Sequence, residues 1–248
     1  MNTFSFRWLL RFLGLGLGFG LLVGCGGSSA PKYRDIETGE PVFFIDLLNQ
    51  IESVSADLYV SPVDGYQYYK LTVEQPIDHN DPNSPTFSQR VRLLMHDENA
   101  PIILQTRGYA MAGESRLALD DLSTMIGANQ IEVEHRYFGE SIPATTDWST
   151  MTIAQAAADH HAIIAKLKPL FTGNWIATGR SKGGMTATYL KRFYPGDLAG
   201  VVAYVAPLSL SMWDERFADY SVSVVDETCR LKFETYQRQA LLRIDELA

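Results

Sequence analysis

The segment Gly179-Arg180-Ser181-Lys182-Gly183 sets one hydroxyl between two glycines. A serine hydroxyl is a weak nucleophile unless the chain presents it and a neighbouring base activates it. The flanking sequence supplies the presentation. Trp175 to Ala177 is a short apolar run of the kind that forms a buried parallel strand, and Met185 to Arg192 is rich in helix formers. Strand, Gly-x-Ser-x-Gly, helix is the pattern of a nucleophile elbow. The turn is tight enough to strain the Ser181 backbone and push its hydroxyl off the sheet edge. Gly179 and Gly183 have no Cβ, so strand and helix can close on each other. The Lys182 amide opens the helix, where unpaired N–H groups favour negative charge, so it is predicted to bind an oxyanion. A second donor in such sites comes from a Gly-containing loop after an earlier strand. Pro101 to Thr106 followed by Arg107-Gly108-Tyr109 fits, which makes the Gly108 or Tyr109 amide the candidate. The chemistry implied is acyl transfer through a covalent ester on Ser181.

Other reactive residues read less sharply. The histidines are His79, His96, His135, His160 and His161, and all precede Ser181. Asp78-His79 lies in a stretch dense in turn residues and reads as a turn held by side-chain to backbone hydrogen bonds. His135 ends the strand before the elbow strand and is a weak candidate for the base. Glu134-His135-Arg136-Tyr137 fits better as a loop that braces the site, with Arg136 on a buried carboxylate or carbonyl. His160 and His161 are adjacent in a helix and so face different ways. No cluster has metal-ligand spacing, and no cofactor is expected.

These groups need a scaffold. The chain has 248 residues, 46% of them hydrophobic and 20% charged, which suits a globular domain with a substantial core. Residues 41–58 place Val42, Phe43, Leu47, Leu48, Ile51 and Val54 at helical spacing and predict a short amphipathic helix. Tyr66 to Gln75 and Phe87 to Met95 predict an antiparallel pair that opens the sheet. Pro101 to Thr106, Gln130 to Glu134, Trp175 to Ala177 and Val201 to Val205 predict further strands. Between them, 115–126 and 152–167 read as helices, the second capped by Thr152 with Gln155 as its capping-box partner. Strands alternating with helices imply an α/β fold with a mostly parallel sheet. Residues 211–248 differ: Phe233, Tyr236, Ala240, Leu241 and Ile244 fall at helical spacing beside many charges, as in the start of a helical cap.

The first 24 residues read as an export signal. Arg7 and Arg11 form its basic end, and Phe12 to Val23 is apolar but too short to span a bilayer well. Leu22-Val23-Gly24-Cys25 resembles the lipobox of bacterial lipoproteins. That resemblance implies cleavage before Cys25, lipidation of its thiol, and anchoring to a bacterial membrane on its periplasmic or extracellular face. Residues 25–40 then read as a flexible tether. The net charge of −8 argues against a nucleic-acid partner. Two cysteines, Cys25 and Cys229, are too few for a disulfide framework and are not expected to pair.

A wider resemblance joins these stretches. Gln75 to His79, Phe87 to Val91, Glu134 to Ser141, Thr152 to Ala156, Gly179 to Gly184 and Ala203 to Pro207 resemble, in family order, the secreted tripeptidyl aminopeptidases. They are more distantly similar to prolylcarboxypeptidase and its relatives. The resemblance implies an α/β-hydrolase core over 41–210, a cap beginning at 211, and a peptide substrate. It implies Ser181 as nucleophile of a serine exopeptidase that releases tripeptides from free N-termini. Glu114, Glu134 and Glu140 become candidates for holding the substrate ammonium. In such hydrolases the order is serine, acid, histidine, and no histidine follows Ser181 here. The expectation is therefore an N-terminal half, truncated before the final strands and incomplete or inactive as it stands. An esterase or lipase of the same fold, or a non-catalytic surface lipoprotein, are the alternatives. Oligomeric state is left open.

Overall fold

The computed structural model describes residues 32–34, 41–211 and 213–247. The export signal, Cys25 and most of the tether lie outside them. Strands β1 (Tyr33–Arg34) and β2 (Pro41–Val42) form a small antiparallel ladder. The main sheet has seven strands: β3 (Val54–Tyr59), β4 (Gln67–Pro76), β5 (Thr86–Met95), β6 (Ile102–Thr106), β7 (Asn129–Val133), β8 (Trp175–Arg180) and β9 (Gly200–Tyr204). Their spatial order is β3-β4-β5-β7-β6-β8-β9. The first three strands and β7 pair antiparallel, and β7, β6, β8 and β9 run parallel. Parallel neighbours need crossovers. Helices α2 (Asp121–Ile126), α3 (Ile153–Leu167) and α4 (Lys182–Phe193) provide them. This is an α/β-hydrolase core, with β8 leading straight into Ser181.

The two sheet faces differ because strand residues alternate. One face carries Leu71, Val73, Val91, Leu93, Leu104, Ile131 and Ala177 into a core closed by α3, α4 and α1 (Phe44–Gln50). The other carries a register row of polar residues, Asp57, Lys70, Arg92, Glu132 and Gln105, one on each successive strand. Arg92 and Glu132 are buried there, and Arg107 joins Glu132 from the end of β6.

Three expectations are corrected. The helix expected over 41–58 covers only Phe44–Gln50. Ile51 is extended and Ser53 takes a positive φ of 65°, which turns the chain into β3. The sheet thus opens with β3 outside the β4/β5 pair. The helix expected over 115–126 breaks into a single tight turn, Glu114–Arg116, and α2. The break is set by Asp120, whose carboxylate accepts from the Leu122 amide and starts α2 afresh; Gly127 at φ 59° ends it. Thr152 caps α3 through the Gln155 amide as expected, but the Gln155 side chain does not reach back. It binds Asp78 and the His79 amide instead.

Helices α5 (Glu215–Ser223), α6 (Glu227–Leu242) and α7 (Ile244–Leu247) contain no buried residue.

Candidate active site

Ser181 stands between β8 and α4 with φ 53° and ψ −125°. Side chains rarely adopt this region, and such strain persists only where the surroundings enforce it. Here the enforcement is visible. The Ser181 amide donates to the Tyr204 carbonyl on β9 at 3.0 Å, and its own carbonyl accepts from Met185 on α4 at 3.1 Å. Ser181 is exposed and its side chain does not cap its helix. Ser181 therefore stands at an exposed strand-to-helix corner between two glycines.

The neighbouring loop is pressed against this corner. A Cβ on Gly108 would meet Lys182 Cβ at 2.6 Å and the Gly183 amide nitrogen at 2.8 Å. The buried Thr106 hydroxyl ties the two segments, 2.7 Å from the Gly183 carbonyl and 3.1 Å from that of Thr178. None of the amides of Gly108, Tyr109 and Lys182 finds a backbone acceptor among the described residues. The three candidate donors thus lie on two segments in contact.

Glu134 organises this loop from below. It is 1% exposed and accepts from the amides of Met111, Glu140 and Ser141 and from the Ser141 hydroxyl. Its carboxylate joins the loop after β6 to the loop after β7. Its oxygens thus already accept four hydrogen bonds before any substrate ammonium arrives. The other two carboxylates are also engaged: Glu140 with Arg90 at 2.9 Å, and Glu114 with Tyr68, Lys70 and Arg92.

Each histidine is likewise occupied. His79 binds Asp159 at 2.7 Å, His96 the Gly127 carbonyl, His160 the Ala156 carbonyl and His161 Asp197. His135 Nδ1 lies 2.8 Å from the Arg136 carbonyl, and burial pushes its imidazole down to about 4. A neutral, buried ring of that kind braces the loop. None of the five hydrogen-bonds to Ser181.

A family model described as PS-10 peptidase S37 matches residues 41–248. The chain belongs to this family. It is 37% identical over 234 residues to the prolyl tri/tetrapeptidyl aminopeptidase of Streptomyces mobaraensis, covering 93% of this chain and 48% of that protein. It is 34% identical over 99 residues to the lysosomal Pro-X carboxypeptidase of Bos taurus, covering 36% of this chain and 20% of that enzyme. A cold-adapted esterase from an Arctic intertidal metagenomic library superposes with a TM-score of 0.43 at 12% identity, over 58% of this chain and 62% of that one. The S37 chain spans about half the length, or less, of the curated relatives it matches. Membership places it in the serine hydrolase and peptidase class.

Two features of the site escaped sequence reasoning. Asp159 is fully buried and receives both Arg136 and His79. Its signal was a lone acid among alanines, one helical turn after Gln155. The second is the Lys182 side chain, whose ammonium sits 5.0 Å from the Tyr109 ring centroid and 4.5 Å from that of Phe138.

Proposed function

We propose that this chain carries the nucleophile and oxyanion half of a serine exopeptidase that releases tripeptides from free N-termini. The observation that carries the reading is Ser181 at φ 53° on the β8–α4 corner, with the Gly108 loop packed against Lys182. In this reading Ser181 Oγ attacks the scissile carbonyl. The amides of Lys182 and of Gly108 or Tyr109 stabilise the tetrahedral oxyanion. The peptide amine leaves, and water releases the acyl group. Similarity to a prolyl tri/tetrapeptidyl aminopeptidase favours short N-terminal peptides, with proline before the cleaved bond. No histidine of this chain hydrogen-bonds Ser181, and in this reading the base comes from another segment or another chain.

The leader supports the companion proposal that the protein is exported and held to a bacterial membrane by a lipid on Cys25. Mass spectrometry of the membrane fraction tests it: a diacylated N-terminal Cys25 is expected, and an unmodified or retained leader refutes it.

The decisive experiment for activity supplies the segment that carries the base and compares turnover of tripeptide-capped chromogenic substrates by the protein and its Ser181→Ala variant. Loss of turnover in the variant is expected; unchanged turnover removes Ser181 from the mechanism. Short acyl esters cleaved in preference to peptides would move the reading to an esterase.

A further inference from the structure

Beside the first two turns of α4, the helix that Ser181 begins, lies a cavity of about 110 Å³. Its walls include His135, Met151, Ile153, Met185 and Tyr189, and Lys182 from the corner itself. Drug-sized ligands occupy roughly 300–1,000 Å³, so this space takes one side chain and not a whole tripeptide. Its lining is apolar apart from two threonines, a tyrosine, a neutral imidazole and one cation. No acidic side chain lines it.

That cation is unusual within the molecule. Arg136 and Arg92 are also buried, and each has carboxylate partners. The Lys182 ammonium has no hydrogen-bond partner among the described residues, although its nitrogen is screened from solvent. Tyr109 and Phe138 offer it ring faces, which stabilise a cation but accept no full hydrogen bond. An ammonium has three donors, and leaving them unmet out of water is costly.

We propose that the cavity receives one acyl-side side chain of the peptide and that Lys182 is its specificity-determining residue, admitting neutral and acidic side chains and rejecting basic ones. This rests on the reading of Ser181 as nucleophile, and it deepens that reading by naming the charge class of the substrate. Opposite charges attract strongly in a site partly shielded from water, and a second cation pays the same interaction with the sign reversed.

The test uses the Ser181→Ala protein, which binds without cleaving, and three sets of tripeptides carrying Glu, Gln or Lys at each position in turn. Binding is read by calorimetry. At one position the Glu peptide is expected to bind about tenfold or more tighter than the Lys peptide. Lys182→Met should bring that ratio close to one, and Lys182→Arg should keep it. If Lys182→Met fails to fold, Lys182→Gln against Lys182→Arg reads the same difference. A charge ratio that survives removal of the lysine, or no ratio at any position, overturns the proposal. Fluorophosphonate labelling of the protein with Ser181 intact separates the two readings. Labelling without a Lys182-dependent charge ratio, or without peptide binding, sinks this inference alone. Absence of labelling even when the segment that carries the base is supplied sinks the nucleophile assignment as well.

Discussion

Arg136 and Asp159 meet fork to fork inside the protein, with Nε 2.7 Å from Oδ2, Nη2 2.7 Å from Oδ1, and neither side chain exposed. The remaining guanidinium donors reach the carbonyls of Ile77, Thr150 and Pro76. One side chain thereby fastens the turn after β4, the segment leading into α3, and α3 itself. Arg136 follows His135 directly, so the same anchor sets the loop that carries Phe138 and Glu140 past the candidate site.

Breaking this pair should be expensive, because the surviving charge has no water to return to. Arg136→Met is expected to cost about 3–5 kcal/mol, read as a lower urea midpoint. The double variant Arg136→Met/Asp159→Leu should recover part of that loss, since it leaves no charge unpaired. A double variant as unstable as the sum of its parts would show that the pair is not acting as a unit.

Gly108 leaves no room for a Cβ beside Lys182 and Gly183. Gly108→Ala is expected to push the loop off the corner and pull its amides away from the oxyanion position. Losing one such donor typically costs about 100- to 1,000-fold in turnover. The second-order rate of fluorophosphonate labelling should fall while the thermal midpoint moves by only a few degrees. Unchanged labelling would mean that the loop is not part of the oxyanion site.

The parts most legible in the sequence were those where backbone geometry restricts residue choice. Gly179, Ser181 and Gly183 announced the corner, and apolar runs announced β6, β7, β8 and β9. Helix boundaries set by single side chains were less legible: Ser53 and Asp120 each divided what periodicity joined. The carboxylates' partners were not legible because a glutamate's type does not reveal what its oxygens already accept. Glu134 looked available and is saturated by three amides and a hydroxyl. Asp159 passed unnoticed because its partners lie 23 and 80 positions away.

The strained corner predicts opposite effects on stability and chemistry. Ser181 holds a φ of 53° that glycine adopts without penalty. Ser181→Gly should therefore stabilise the fold by up to about 1–3 kcal/mol while abolishing labelling. Ser181→Ala should abolish labelling and leave stability near the parent, because it keeps the Cβ. Equal melting temperatures for the two variants would mean that the corner is relaxed.

Acid should weaken the fold through His135. Its imidazole is pushed down to about 4 because it is buried, whereas an unfolded histidine titrates near 6.5. Above about pH 6.5 neither state binds this proton and stability does not depend on it. Between the two values the unfolded chain takes up the proton and the native chain does not, so stability falls as pH falls, by up to about 1.4 kcal/mol per pH unit. Below about 4 this contribution is exhausted, after a total loss of roughly 3 kcal/mol. His160, also pushed down by burial, adds a loss of the same sign. Urea titrations from pH 7.5 to 4 on the parent and on His135→Phe read the difference. The phenyl ring keeps the packing on Phe138, where the imidazole sits edge-on at 5.7 Å, but binds no proton. The variant should thus show a shallower decline than the parent. Parallel curves would place the acid sensitivity at another group and imply that the His135 ring can be protonated in the native state without loss.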